Sequence, residues 1–169
     1  MPAHPQPTGG DRTGPARPVG QGAIRVVLAD DHLAMRRNLR RLLDAESGIS
    51  VIAEGDDLPT VIRHVQTRHP NVLVLDLSMR GGSSIEAIRR LRDGVPATEI
   101  VVLKMEQSAA FAQHAIDAGA IGFVLKDTAD SELPDAIRSA ARRREYVSPR
   151  VAGRLRARRI ATGDSLHQH

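Results

Sequence analysis

The sequence contains no cysteine among its 169 residues, and its aromatic residues are only Phe111, Phe123 and Tyr146. The absence of cysteine excludes disulfide bonds, thiol catalysis and cysteine-based zinc sites. The scarcity of aromatics means that a hydrophobic core must be aliphatic. No apolar run approaches the ~20 residues needed to cross a bilayer, and the N-terminus lacks the apolar stretch of a secretion signal. We therefore expect a cytoplasmic protein without membrane contact.

Charge is distributed unevenly along the chain, although the net charge is only +4. Residues 25–137 carry 13 lysines and arginines against 17 acidic residues, whereas residues 138–159 carry nine arginines and one glutamate. This basic stretch either contacts nucleic-acid phosphates or forms a solvated helix face followed by a frayed linker. We favour the second interpretation, because the stretch has no base-reading fold and no zinc ligands. The arginines in question beyond the last predicted helix are Arg150, Arg154, Arg156, Arg158 and Arg159.

Strand-like and helix-like patterns alternate five times between residues 23 and 145. Residues 1–22 are rich in proline and glycine and are predicted to be disordered, and residues 146–169 to be an Arg-rich linker or tail. Short runs of Val, Ile and Leu suit strands buried on both faces of a parallel sheet. The alternation predicts an α/β sheet with right-handed crossovers. The five runs are Ile24–Ala29, Ser50–Ala53, Val72–Leu75, Ile100–Leu103 and Ile121–Leu125.

Charged residues stand at the carboxyl ends of four of these runs, where open α/β sheets place their sites. They are Asp30-Asp31, Asp76, Lys104 and Lys126. Taken singly, the paired aspartates could cap a helix, and each of the others could reach solvent. Taken together, the carboxylates would raise one another's pKa unless a cation lay among them. Mg²⁺ prefers such oxygen ligands, and Mg²⁺ beside a carboxylate and a lysine favours phosphoryl transfer.

Three motifs, VVLADDH (Val26–His32), VLVLDLSM (Val72–Met79) and GAIGFVLKD (Gly119–Asp127), resemble the response-regulator receiver family of two-component systems. The resemblance is strongest to its NarL/FixJ-type branch. It implies a flavodoxin-like (βα)5 fold over residues 23–145, with a parallel five-stranded sheet in the order 2-1-3-4-5. It also implies transcriptional regulation through a C-terminal helix-turn-helix, and we expect residues 146–169 to be too short to form one.

The resemblance also implies roles for individual residues. Asp76 would accept a phosphoryl group from a histidine kinase, and Asp30, Asp31, Asp76 and the backbone carbonyl of Ser78 would hold Mg²⁺. Lys126 would bind the phosphoryl group. Phe123 occupies the aromatic switch position of the family, although it could equally be ordinary core filling.

Two residues depart from the family pattern. Arg80 replaces a proline, which we interpret as a surface change of little consequence. Lys104 stands where the family carries the Thr or Ser that binds the phosphoryl oxygen. Its ammonium could pair with Asp76, could clamp the phosphoryl group, or could extend outward and leave the site alone. We expect intact acceptor chemistry with altered coupling to Phe123.

Three functions fit these patterns. The first is a phosphorylated receiver that signals through a conformational or dimerisation change, with a kinase and a second copy of itself as partners. DNA would be bound only through an output domain, or through the arginines of the C-terminal stretch, which we favour less. The second is an atypical receiver that acts by protein contact without productive phosphorylation, which Lys104 and Arg80 favour. A Mg²⁺-dependent phosphohydrolase is the third, but no insertion long enough to bind a substrate is present. We do not expect an enzyme beyond phosphoryl acceptance and autodephosphorylation.

Overall fold

The computed structural model describes residues 22–79 and 85–167, with side chains described as far as residue 163. Arg80 and residues 1–21, most of the segment predicted to be disordered, lie outside these ranges. The strands are β1 (Ile24–Ala29), β2 (Ile49–Gly55), β3 (Val72–Asp76), β4 (Glu99–Lys104), β5 (Gly122–Leu125) and β6 (Tyr146–Val147). The helices are α1 (Leu33–Asp44), α2 (Leu58–Arg68), α3 (Ile85–Gly94), α4 (Ala109–Asp117), α5 (Ala129–Ala141) and α6 (Pro149–His167).

The strands form one parallel sheet in the order β2-β1-β3-β4-β5-β6. This confirms the flavodoxin-like class and corrects the predicted five-stranded sheet, because β6 adds a sixth strand beside β5. Two backbone hydrogen bonds hold the added strand: Tyr146 N donates to Ile121 O at 3.1 Å and Ser148 N donates to Phe123 O at 2.9 Å. A strand of two residues has no periodicity that the sequence could display.

Both faces of the sheet are covered by helices, as the continuous apolar runs predict. Alternate residues of the central strands point to opposite faces. One face packs against α2, α3, α4 and α6, and the other packs against α1 and α5. Val27 and Leu73 lie on the first face, whereas Val26 and Val74 lie on the second. The central strands are therefore fully buried, and their carboxyl ends are held rigidly.

The arginines beyond β6 lie on helix α6 rather than in a frayed linker. Val151 and Leu155 of this helix are 0% and 2% exposed and belong to the core on the α4 side of the sheet. Ser148, directly before the helix, is fully buried, and its Oγ accepts a hydrogen bond from Leu125 N at 2.9 Å. Two apolar side chains in an otherwise basic segment therefore suffice to dock its first turns.

Within the described residues, no helix combines the length and the apolar character that spanning a membrane requires.

Candidate functional site

The strand register brings the predicted site residues to one edge of the sheet. Ala29 of β1 pairs with Leu75 of β3. Asp30, directly after β1, and Asp76, the last residue of β3, therefore lie at the same level of the sheet. Asp76 itself pairs with Leu103, the residue before Lys104, and Lys104 pairs with Leu125, the residue before Lys126. The carboxyl ends of β1, β3, β4 and β5 therefore place two aspartates and two lysines at one edge of the sheet.

Asp76 is fully buried and ion-paired. Lys126 Nζ lies 2.8 Å from its Oδ2, and the amide and hydroxyl of Ser78 donate hydrogen bonds to its Oδ1 at 2.9 and 2.7 Å. Burial alone would raise the pKa of Asp76, but the hydrogen bonds from Lys126 and Ser78 outweigh it and lower the pKa below its ordinary value. These contacts therefore favour the ionised form of Asp76.

Asp30 is equally buried, but its carboxylate has less support. Its Oδ1 accepts a hydrogen bond from His32 N at 2.8 Å. Its Oδ2 accepts no hydrogen bond within the described part of the chain, and Lys126 Nζ is 3.6 Å away. Burial, followed by the negative charge of Asp76, raises the pKa of Asp30 above its ordinary value. A buried carboxylate whose charge is only partly countered by Lys126 suits a metal ligand.

Four side chains at this edge could hold a metal ion together. Asp30, Asp31, His32 and Asp76 each offer a ligand atom, and these atoms lie within 4.8 Å of one another. The three carboxylates fit a hard divalent cation, which takes oxygen ligands and keeps several waters. His32, whose Nδ1 lies 3.7 Å from Asp31 Oδ1, was missed as a candidate ligand, although it follows the paired aspartates directly. The carbonyl of Ser78 remains a predicted ligand.

Lys126 bridges the two buried carboxylates. Its side chain is 6% exposed, and its ammonium lies 2.8 Å from Asp76 and 3.6 Å from Asp30. A buried lysine shared by two carboxylates supplies the positive charge that a phosphoryl group would need after transfer. The phosphoryl-binding role that the resemblance implies for Lys126 stays a prediction.

Lys104 lies at the same edge, but its ammonium contacts helix α4 and the loop before it. Nζ is 3.4 Å from Glu106 Oε2 and 4.2 Å from the centre of the Phe111 ring. Among the described residues, its ion-pair partner is thus Glu106 and not Asp76. Of the three placements considered for Lys104, this geometry agrees best with an outward side chain. Its effect on switching stays a prediction.

Phe123 is fully buried on the α4 side of the sheet. Its ring centre lies 6.5 Å from that of Phe111, and the ring planes are tilted by 52°. Such tilted pairs are favourable between aromatic rings. Phe123 therefore fills the core, and this position also connects it through Phe111 to Lys104, so a role in switching stays open.

The C-terminal arginines are not gathered at this site. Arg150, Arg154, Arg156 and Arg158 project from α6 into solvent. Arg159 is instead engaged: it pairs with Glu145 at 2.9 Å and donates a hydrogen bond to Gln113 Oε1 of α4 at 2.9 Å. The exposed arginines are spread along α6.

Comparison with known proteins connects this geometry to a family. Residues 26–138, more than half of the chain, match the response regulator receiver domain. The nitrate/nitrite response regulator NarP of Escherichia coli is 37% identical over 138 residues, which cover 81% of this chain and 64% of NarP. The chain thus spans just under two thirds of the length of this relative.

Two solved structures share the fold. A LuxR-family response regulator from Aurantimonas is 35% identical with a TM-score of 0.76, and the match covers 82% of this chain and 99% of that one. The isolated receiver domain of RcsB from Salmonella enterica, in the presence of the phosphomimetic BeF₃⁻, is 29% identical with a TM-score of 0.72. That match covers 79% of this chain and 98% of the RcsB domain. Receiver domains are generally signalling proteins rather than enzymes. The chain belongs to the response regulator receiver domain family, in its NarL/LuxR-type branch.

Proposed function

We propose that this receiver accepts a phosphoryl group on Asp76 from a histidine kinase in the cytoplasm, and that the phosphorylated form signals through a change in conformation or self-association. The observation that carries the proposal is the fully buried carboxylate of Asp76 with Lys126 Nζ at 2.8 Å. In the transfer, a carboxylate oxygen of Asp76 forms a bond to phosphorus while the bond between phosphorus and the kinase histidine breaks. The histidine keeps the electron pair of that bond.

The acidic cluster is proposed to hold Mg²⁺, with Asp30, Asp31, Asp76 and the Ser78 carbonyl as its protein ligands. The ion would neutralise charge on the transferring group and counter the repulsion between the carboxylates. The residues fit this role, because Asp30 Oδ2 is buried without a hydrogen bond in the described part of the chain. Lys126 binds a phosphoryl oxygen once transfer is complete, and Ser78 orients the acceptor through its two hydrogen bonds.

Incubation with acetyl phosphate and Mg²⁺ tests this function without a cognate kinase. The intact chain should gain the mass of one phosphoryl group, and Asp76→Asn should gain none. Asp93→Asn is the matched control, because Asp93 is an exposed carboxylate at the end of α3. It should be phosphorylated like the parent. If the parent chain also gains no mass, phosphoacceptance is refuted.

A second candidate is an atypical receiver that works by protein contact without phosphorylation. The replacement of the family's Thr or Ser by Lys104 favours it, whereas the complete set Asp30, Asp31, Asp76 and Lys126 favours the first function. The same assay separates the two, because an atypical receiver stays unmodified yet folded.

The proposed partners are a histidine kinase and a second copy of the chain. DNA would be contacted by an output domain in a longer protein, or by the exposed arginines of α6. The arginines alone would give binding that ignores base sequence and weakens steeply with salt. Replacing Arg150, Arg154, Arg156 and Arg158 by glutamine tests this without disturbing Val151 and Leu155, which a shortened chain would remove from the core.

A further inference from the structure

The hydroxyl of Ser148 binds the sheet rather than the helix that follows it. Ser148 stands directly before α6 and is fully buried. A serine in that place usually caps the helix by accepting a hydrogen bond from one of its first backbone amides. Here Ser148 Oγ instead accepts a hydrogen bond from Leu125 N of β5 at 2.9 Å. The side chain is therefore engaged with the strand that leads to Lys126.

The path of the backbone explains this use of the hydroxyl. Ser148 N donates to Phe123 O at 2.9 Å, which continues the parallel pairing of β6 with β5. In a regular parallel ladder, Leu125 N would next donate to the carbonyl of Ser148. That carbonyl is turned into α6, where it accepts hydrogen bonds from Val151 N at 2.8 Å and Ala152 N at 3.0 Å. Ser148 Oγ takes the place of the carbonyl and extends the ladder by one hydrogen bond.

This hydrogen bond holds the end of β5 from the side of β6. On its other side, Leu125 pairs with Lys104 of β4. Leu125 is 1% exposed, so water does not readily replace the hydroxyl as an acceptor for its amide. A buried amide without an acceptor costs free energy, and movement of the strand end would relieve that cost. The position of Leu125 therefore depends on Ser148.

Lys126 is the next residue, and its ammonium reaches across the edge of the sheet to Asp76. Lys126 Nζ lies 2.8 Å from Asp76 Oδ2 and 3.6 Å from Asp30 Oδ2, and the lysine side chain is only 6% exposed. A buried side chain has little freedom to compensate for a displaced backbone, because its surroundings are close-packed. The direction of Lys126 is thus set where β5 ends.

We propose that Ser148 is a positioning residue of the acceptor site, which holds Leu125 in place and so directs Lys126 towards Asp76. Ser148 lies beyond residues 26–138, the part of the chain that matches the receiver family. The site therefore includes a contribution from the segment that begins α6. The inference deepens the proposed phosphoacceptor function and rests on it wherever a phosphoryl group is concerned. The dependence of Lys126 on Ser148 is testable without any phosphoryl group.

Two variants remove the acceptor of this hydrogen bond, and a third serves as a matched control. Ser148→Ala deletes the hydroxyl, and Ser148→Cys keeps most of the volume but offers only a weak acceptor. Thr98→Val is the control, because Thr98 is also buried and its hydroxyl donates one hydrogen bond, to Pro70 O at 2.8 Å. Thr98 directly precedes β4, so it lies at the opposite end of the sheet from Asp76. One hydrogen bond is a small part of the stability of a domain, so all three variants should fold.

The first measurement follows Lys126 in the protein without added metal or phosphoryl analogue. The chain contains two lysines, so lysine-selective ¹³C labelling yields one methylene signal next to each ammonium, and Lys104→Arg assigns both. The Lys126 signal should shift in Ser148→Ala and Ser148→Cys and should stay in place in Thr98→Val. An unshifted Lys126 signal in either Ser148 variant, or an equal shift in the control, would overturn the inference.

The second measurement is the affinity for the phosphoryl analogue BeF₃⁻ in the presence of Mg²⁺. Both Ser148 variants should bind it about two- to tenfold more weakly than the parent chain, the range expected for one hydrogen bond, whereas Thr98→Val should bind like the parent. Parent-like affinity in the Ser148 variants would overturn the assignment of Ser148 to the site. If the parent itself binds no BeF₃⁻, phosphoacceptance fails, while the Lys126 signal still decides whether Ser148 directs that side chain.

Discussion

At the residue scale, Asp30 and Asp76 occupy the same buried site, yet their pKa values shift in opposite directions. The difference comes from their hydrogen bonds. Asp76 accepts two hydrogen bonds from Ser78 and lies 2.8 Å from Lys126 Nζ, whereas Asp30 accepts one from His32 N and lies 3.6 Å from Lys126 Nζ. The site therefore favours the charged form of Asp76 more than that of Asp30, which suits the proposed roles of a phosphoryl acceptor and a metal ligand.

Tyr146 offers a pH-dependent readout of the sheet edge. Burial, together with the hydrogen bond that its hydroxyl donates to Glu132 at 3.0 Å, raises the pKa of Tyr146 above its ordinary value. The unfolded chain titrates near pH ~10, so it loses this proton before the folded chain does. The contribution to stability is thus complete below pH ~10 and is lost as the pH rises further.

The chain has a single tyrosine and no tryptophan, so this titration can be followed directly by ultraviolet absorbance. The folded protein should ionise Tyr146 at a higher pH than the urea-unfolded protein. Glu132→Gln should move the folded value back toward that of the unfolded chain. Identical titration of the folded and unfolded proteins would contradict the burial of Tyr146 and its hydrogen bond to Glu132.

Phe123 should behave as a core residue whatever its role in switching. Its side chain is fully buried, and removing a buried phenylalanine ring costs about 3–5 kcal/mol of folding free energy. We expect Phe123→Ala to lower the free energy of unfolding in urea by that amount. Phe123→Leu, which keeps more of the volume, should cost clearly less. Equal small losses for both variants would place the ring outside the core.

At the scale of elements, α6 tests whether the basic segment is part of the folded body. Leu155 is 2% exposed and Ile160, on the same helix, is 64% exposed. Leu155→Ala should therefore cost about 2–5 kcal/mol, whereas Ile160→Ala should change stability by less than about 0.5 kcal/mol. Urea unfolding of the two variants measures both values. Equal effects would mean that α6 does not pack against α4.

The central strands were predictable because continuous apolar runs leave few alternatives to a doubly covered parallel sheet. The charged residues at the carboxyl ends of these strands were expected at one edge of the sheet. Asp76 and Lys126 could therefore be expected to lie close together. Strand β6 could not be predicted, since Tyr146 and Val147 are too short a run. Helix α6 was missed because its packed face shows only two large apolar residues, Val151 and Leu155, among arginines, alanines and glycines.

The sequence predicted where a residue lies in the fold better than it predicted which residues its side chain contacts. Lys104 was correctly placed after the fourth strand, but its flexible side chain has several rotamers within reach of different acids. Only the folded chain shows that it lies on Glu106 and Phe111. His32 was overlooked as a candidate ligand for a related reason. The distance of its ring from the carboxylates depends on how the chain turns into α1.

At the scale of the whole molecule, the acidic site and the exposed arginines lie on different elements. The proposed phosphoacceptor site lies at the carboxyl edge of the sheet, and the exposed arginines lie on α6. Helix α4 connects the two, because it contacts Lys104 at its first turn and Val151 and Leu155 along its length.

The central claim is that Asp76 is the residue that carries the phosphoryl group. After treatment with acetyl phosphate and Mg²⁺, borohydride reduction converts an aspartyl phosphate to homoserine, which peptide mass spectrometry locates. We predict homoserine at position 76 alone, and none when Mg²⁺ is chelated beforehand. Homoserine at another aspartate, with Asp76 unchanged, would contradict the account.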